Sequence, residues 1–261
     1  MSEVILELKN VCMYFGGLKA VDDVSFDVKK GEIMSLIGPN GAGKTTIFNV
    51  ITGVYVPTSG EIWFKNTLLN KYKPHQITKM GIARTFQNIR LFKQLTVLEN
   101  IILAMHCRRK IGVIQSVLRL PSYHSELKKT IKKAEEYLDY MGLLGKKDEK
   151  AENLPYGEQR KLEITRALAT GAELLLLDEP AAGMNPQETA NLMELIEKIR
   201  NELDKTIFLI EHDMKLVMGI SDRIVVLDYG KKIAEGLPHE IRNNKKVIEA
   251  YLGKEVANAT T

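Results

Sequence analysis

The sequence predicts a three-layer α/β fold built on a largely parallel sheet, and three observations carry that prediction. Short, continuously apolar runs recur along the chain, stretches of helical periodicity separate them, and a glycine-rich loop follows the first fully apolar run. Unbroken apolar runs suit strands covered on both faces. Strands separated by helices require parallel pairing through right-handed crossovers. At 261 residues the chain is long enough for one large domain with an insertion.

Residues 4–8 and 24–28 alternate or run apolar between turn residues and read as two β segments. Lys30-Gly31 makes a turn, after which Ile33-Met34-Ser35-Leu36-Ile37 reads as a buried strand. A glycine-rich loop and a helical stretch follow it. Pro57-Thr58-Ser59-Gly60 forms a turn ahead of a strand at 61–64. From about Thr96 to Leu168 the pattern is helical and charged, which predicts an inserted helical subdomain. A loop from Arg109 to Ser125, containing Gly112 and Pro121, divides it, and residues 126–140 read as an amphipathic helix. On that helix Lys128, Lys129, Lys132 and Lys133 read most simply as a solvated basic face, with docking to a partner the sharper reading. The β/α alternation resumes with the four leucines 174–177. Pro186 opens a helix in which Leu192, Leu195, Ile196 and Ile199 share one face. Residues 206–210 and 224–227 are the next strands.

Lys plus Arg number 37 and Asp plus Glu 33, and a net charge of +4 makes no electrostatic case for a nucleic-acid partner. Cys12 and Cys107 stand far apart with no C-x-x-C pair, which argues against a structural disulfide or zinc site. No apolar run reaches the ~18 residues of a membrane span, and Met1-Ser2-Glu3-Val4 does not begin a signal sequence. The expectation is a chain neither secreted nor membrane-spanning.

The strongest local signal is Gly38-Pro39-Asn40-Gly41-Ala42-Gly43-Lys44-Thr45, which fits G-x-x-x-x-G-K-[ST] between a buried strand and a helix. Average residue frequencies give such a match by chance in about one chain of this length in a hundred. Glycines let the backbone wrap phosphate oxygens, so that successive N–H groups and the helix N-terminus face the anion. Lys44 would then reach the β- and γ-phosphates and the Thr45 hydroxyl would coordinate Mg²⁺, with Thr46 beside it. Four leucines run into Asp178-Glu179 at the end of a second buried strand. Asp178 is placed to hold Mg²⁺ through its water shell, and Glu179 to deprotonate a water attacking the γ-phosphate.

Leu154-Pro155-Tyr156-Gly157-Glu158-Gln159-Arg160 lies between these motifs, with 19 positions from Gln159 to Asp178. With that loop in place the chain resembles the ATP-binding subunit of an ABC transporter, whose L-S-G-G-Q signature precedes the Asp-Glu pair at about this distance. The resemblance covers nearly the whole chain. It implies a P-loop NTPase (RecA-like) core, an N-terminal antiparallel β subdomain and an inserted α-helical signature subdomain. It assigns Phe15 to adenine stacking, Gln87 to linking Mg²⁺ and γ-phosphate to the helical subdomain, and His212 to a γ-phosphate switch. Leu154, Pro155, Tyr156, Gly157, Glu158 and Gln159 would contact the ATP of a second subunit.

Two departures stand out. Pro155 and Tyr156 replace the signature serine and the next glycine, removing a hydroxyl donor whose hydrogen bond to a charged acceptor is worth ~1.5–3 kcal/mol. Asn185 stands where the family has aspartate. The 154–160 loop, the run 181–186 and the run 210–218 are similar to one ATPase subunit of branched-chain amino acid importers; urea and amide importers share much of the pattern.

The resemblance therefore implies an ATP hydrolase using ATP and Mg²⁺, paired with a second ATP-binding subunit, a paralogue or itself. Membrane-spanning permeases are its other partners, and the cytoplasmic face of the membrane its site. Residues 1–254 form the ATP-binding domain: 1–95 and 170–236 the catalytic core, 96–169 the helical subdomain, 237–254 C-terminal helices. Residues 255–261 read as a flexible tail. Gln87 and the helical stretch from Leu95 to Met105 would carry movement to the permeases. A soluble ABC ATPase that clamps nucleic acid, usually carrying tandem ATPase units or a long coiled coil, fits less well. A P-loop kinase leaves the signature loop and His212 unexplained.

Overall fold

The computed structural model describes residues 3–108 and 121–258. Two sheets organise the chain. The first is antiparallel, in the order β2-β1-β4-β5, from β1 (Val4–Phe15), β2 (Leu18–Lys29), β4 (Ser59–Phe64) and β5 (Thr67–Leu68). The second runs β10-β9-β3-β8-β7-β6, from β3 (Ile33–Ile37), β6 (Ile82–Arg84), β7 (Leu174–Asp178), β8 (Thr206–Ile210), β9 (Arg223–Asp228) and β10 (Lys231–Gly236). All neighbours in it are parallel except β10, which returns antiparallel to β9.

The apolar strands have two buried faces because each is covered twice. Met34, Leu36, Leu174, Leu176, Phe208 and Ile210 join one core with Leu6, Leu8 and Phe26 of the antiparallel sheet and with Phe48 of α1 (Lys44–Ile51). Their neighbours Ile33, Leu175, Leu177, Ile207 and Leu209 point the other way, into a core with helical residues such as Ile101, Leu162 and Ile196. This two-residue alternation within a continuously apolar run is the pleat itself. Helix α2 (Pro74–Met80) leads into β6, and the helices of that face include α3 (Val97–Met105), α4 (Pro121–Tyr140), α5 (Tyr156–Ala169) and α6 (Pro186–Leu203).

Helix α4 starts at Pro121, so residues 121–125, expected as the end of a loop, are helical; the rest of that loop, 109–120, lies outside the described residues. Proline suits a first helical turn, where its missing N–H has no partner to lose. Ala134 and Leu138 of α4 are buried and the four lysines 128, 129, 132 and 133 are exposed, as their spacing requires.

Helix α7 (Met214–Ile220) fills the β8–β9 crossover, and α8 (Pro238–Arg242) and α9 (Lys245–Asn258) follow β10. Helix α9 runs past residue 254, where the sequence reading begins a tail, because no proline intervenes before Asn258. Three strands escaped the sequence reading. β5 and β6 are too short to show a period, and β10 is a half-exposed edge strand with Lys231, Lys232 and Glu235.

Candidate functional site

Parallel strands β3, β8 and β7 are adjacent, so the loops leaving their C-terminal ends emerge side by side. They carry the glycine loop, His212 and the Asp178-Glu179 pair. A cleft of about 390 Å³ is lined by Phe15, Asn40–Thr46, Glu179 and His212, together with Leu18, Lys19, Ala20 and Tyr229.

The glycine loop is shaped by two positions where a side chain has no room. A Cβ on Gly38 (φ +149°) would lie 2.1 Å from the Leu227 carbonyl oxygen, and one on Gly43 (φ +100°) 2.4 Å from that of Ala20. Gly43 precedes α1 without a side-chain cap, leaving helix N-terminal N–H groups toward the cleft. Lys44 is 6% exposed. Its Nζ donates to the Gly38 and Pro39 carbonyls at 2.7 and 3.0 Å, curling the loop around its own ammonium. Phe15, on the cleft rim, meets Tyr55 edge to face at 5.2 Å.

Glu179 follows β7 with φ +46°, a left-handed conformation uncommon outside glycine. Its amide donates to the Ile210 carbonyl at 2.8 Å. The carboxylate is held at both oxygens: Gln87 Nε2 donates to Oε2 at 2.7 Å, and His212 Nε2 lies 2.8 Å from Oε1. Sequence-distant Gln87, Glu179 and His212 thus form one constellation.

Asp178 sits behind it, buried, with Oδ2 bonded to Arg84 at 2.7 Å; Arg84 also donates to Asn49 Oδ1 at 2.7 Å. Glu211 is 3% exposed and accepts from the amides of Ala181 (2.7 Å), His212 (2.9 Å) and Asp213 (3.3 Å). Burial pushes its carboxyl above the usual range. It braces the loop after Glu179 against the loop of His212. Arg84, Tyr55 and Glu211 were not identified from sequence, because each acts on a partner from a distant segment; the apolar run ending abruptly in Glu211 was the one local hint.

The residues of the 154–159 loop lie apart from this cleft. Leu154 is buried and Pro155 precedes α5. Gln159 Nε2 donates back to the Leu154 carbonyl at 2.8 Å, and Lys146 holds the Glu158 carboxylate at 2.6 and 2.7 Å. Tyr156 faces the loop after Glu179 and Gly157 the first turn of α6: the Tyr156 hydroxyl donates to the Ala182 carbonyl at 2.8 Å, and a Cβ on Gly157 would meet Glu188 at 3.4 Å. Asn185 caps α6, accepting from the amides of Gln187 and Glu188 at 3.0 and 2.9 Å, as an aspartate there would.

The cleft fits a magnesium nucleotide. Its glycines pack backbone against the Leu227 and Ala20 carbonyls, its lysine is buried, and Thr45 on the cleft wall carries the oxygen a hard cation takes; Gln87, bonded to Glu179, and Asp178, behind it and paired to Arg84, lie outside the cleft lining. A glycine-lined anion cradle beside a carboxylate, a glutamine and a histidine defines a nucleotide-binding ATPase cassette. The ABC transporter family model matches residues 21–182, and the chain belongs to that family. A second model, described as branched-chain amino acid ATP-binding cassette transporter, matches residues 231–257. The high-affinity branched-chain amino acid transport ATP-binding protein LivG of Escherichia coli K12 is 50% identical over 97% of this chain and 100% of its own length. BraF of Pseudomonas aeruginosa, with the same description, is 45% identical over the same shares. Among solved structures, the ADP conformation of MJ1267, an ATP-binding cassette of an ABC transporter, superposes with TM-score 0.84 at 33% identity, covering 97% of this chain and 100% of that one. The dimeric cassette MJ0796 gives 0.75 at 28% identity, covering 90% and 99%. Among the described residues no helix is long and apolar enough to cross a membrane.

Proposed function

We propose that this chain is the ATP-hydrolysing subunit of a branched-chain amino acid importer, acting at the cytoplasmic face of the membrane as a dimer with a second ATP-binding subunit. One observation carries the dimer: Lys44, Glu179 and His212 share a cleft that Tyr156 and Gly157 do not line. A nucleotide there lacks the signature contact unless another subunit supplies it.

Phe15 stacks the base, residues 38–46 cradle the phosphates, and Lys44 turns from its own carbonyls to the β- and γ-phosphates. Thr45, Gln87 and, through its water shell, Asp178 would hold Mg²⁺, which when bound neutralises phosphate charge. Glu179 accepts the proton of the attacking water. His212, already at its carboxylate, holds it toward the γ-phosphate position. Loss of the γ-phosphate removes the bridge between subunits, which part; the nucleotide shifts the open–closed population through contacts made only in the closed dimer.

A groove of about 560 Å³ beside Gln87, lined by Arg84, Phe86, Arg90, Phe92 and Arg166, suits a permease segment. The LivG and BraF resemblance favours branched-chain amino acids over urea or amides. The test is to purify the tagged chain from native membranes and assay hydrolysis in the recovered complex. A second ATP-binding subunit, permeases and stimulation by leucine, isoleucine or valine are expected. Stimulation by urea or short amides alone overturns the substrate, and recovery with ribosomes or DNA overturns the transporter.

A further inference from the structure

Five hydrogen bonds close a ring through three separate segments of the chain. Gln87 Nε2 donates to the Glu179 carboxylate at 2.7 Å. The Gln87 carbonyl accepts from Arg160 at 2.8 Å, and Arg160 also donates to the Tyr156 hydroxyl at 3.3 Å. That hydroxyl donates to the Ala182 carbonyl at 2.8 Å, and the Ala182 amide returns to the Glu179 carbonyl at 3.2 Å. Arg160 is fully buried and further anchored to Glu163 and the Phe86 carbonyl, each at 2.7 Å. A buried guanidinium with this many fixed acceptors has little freedom to follow one partner without the others.

The residue that closes the ring is Tyr156, where the signature pattern has glycine. Its hydroxyl serves as both acceptor and donor, and a Cβ added at Gly183 would touch its ring at 3.7 Å. Glycine could make neither hydrogen bond.

We propose that Tyr156 is a positioning residue: it ties the start of α5, the surface offered to a second subunit's nucleotide, to the loop carrying Glu179. When Glu179 or Gln87 shifts at one nucleotide, the signature loop serving the other shifts with it. The inference rests on the reading of Glu179 as general base and of residues 154–159 as acting in trans.

The test uses Tyr156→Phe, which removes the hydroxyl alone, in the complex with natural partners. Turnover is expected to fall about two- to tenfold, the worth of one hydrogen bond. Sigmoidal dependence on ATP should flatten, while a fluorescent ATP analogue binds the isolated chain within about twofold of wild type. In the nucleotide-free chain, exchange at the Ala182 amide should quicken while β3 and β7 amides stay unchanged, which also reports an intact fold. Combined with Gln87→Ala, the loss should be less than the product of the two single losses, as for residues in one network. Wild-type turnover and sigmoidicity in Tyr156→Phe, or losses that multiply, overturn the proposal. Glu179→Gln is the control: near-normal turnover by that variant defeats the general-base reading, whatever Tyr156→Phe does.

Discussion

The Arg84 guanidinium meets the Asp178 carboxylate at 2.7 Å with both side chains less than a tenth exposed. Arg84 therefore pairs with a buried carboxylate directly behind Glu179. Removing one partner strands the other without solvent. Arg84→Met should lower stability by about 3–5 kcal/mol, and Arg84→Met combined with Asp178→Asn should cost less than the sum of the singles. Urea unfolding of the four proteins measures both; additive losses would show that the pair is not coupled.

Glu179→Gln keeps the hydrogen bond from Gln87 within reach but removes the basic oxygen pair. ATP binding should persist while hydrolysis falls about 10²–10⁴-fold. Single-turnover assays with a binding titration separate the two effects. With saturating magnesium nucleotide and its partner subunit, this variant should also remain dimeric by light scattering; a monomer under those conditions refutes nucleotide-bridged association.

Gly38 and Gly41 both have positive φ, yet they differ in space. At Gly41 nothing lies within 4 Å of an added Cβ, whereas at Gly38 the Leu227 carbonyl is 2.1 Å away. Gly41→Ala should cost only backbone strain, about 1–3 kcal/mol. Gly38→Ala must also push β9 from β3 and should cost more in the same unfolding assay. Equal losses would show that the loop yields freely at Gly38.

Glu211 supplies a pH signature. Burial raises its carboxyl above the ordinary 4.5, so the native state binds this proton more tightly than the unfolded chain does. The resulting stability is present below the unfolded value and is lost as pH rises through the raised native value. Glu211→Gln lacks that dependence. Wild-type stability relative to the variant should therefore decline as pH rises from the ordinary carboxyl range through the raised native value, read as the difference in Tm. A difference that is flat, or that grows with pH, contradicts the sign.

What could be read from the sequence was what is written locally. The glycine loop, the leucine run into Asp178-Glu179 and the strand before His212 each carry their fold and site signal within a dozen residues. Arg84 and Arg160 gave no such signal, since Asp178 for the first and the Phe86 and Gln87 carbonyls for the second lie on segments remote in sequence. Tyr156 was legible only as a missing serine-glycine pair; its contact with Ala182 depends on how α5 packs against the loop after β7. The start of α4 was misplaced because proline signals both a turn and a helix opening.

The left-handed backbone at Glu179 carries a cost of its own. Glycine would relax it, releasing about 1–2 kcal/mol of conformational penalty while deleting the carboxylate. A screen that rewards heat resistance alone should enrich for that replacement and return a hardier but inert protein. With Glu179 as the proposed base, durability and work pull in opposite directions at this position.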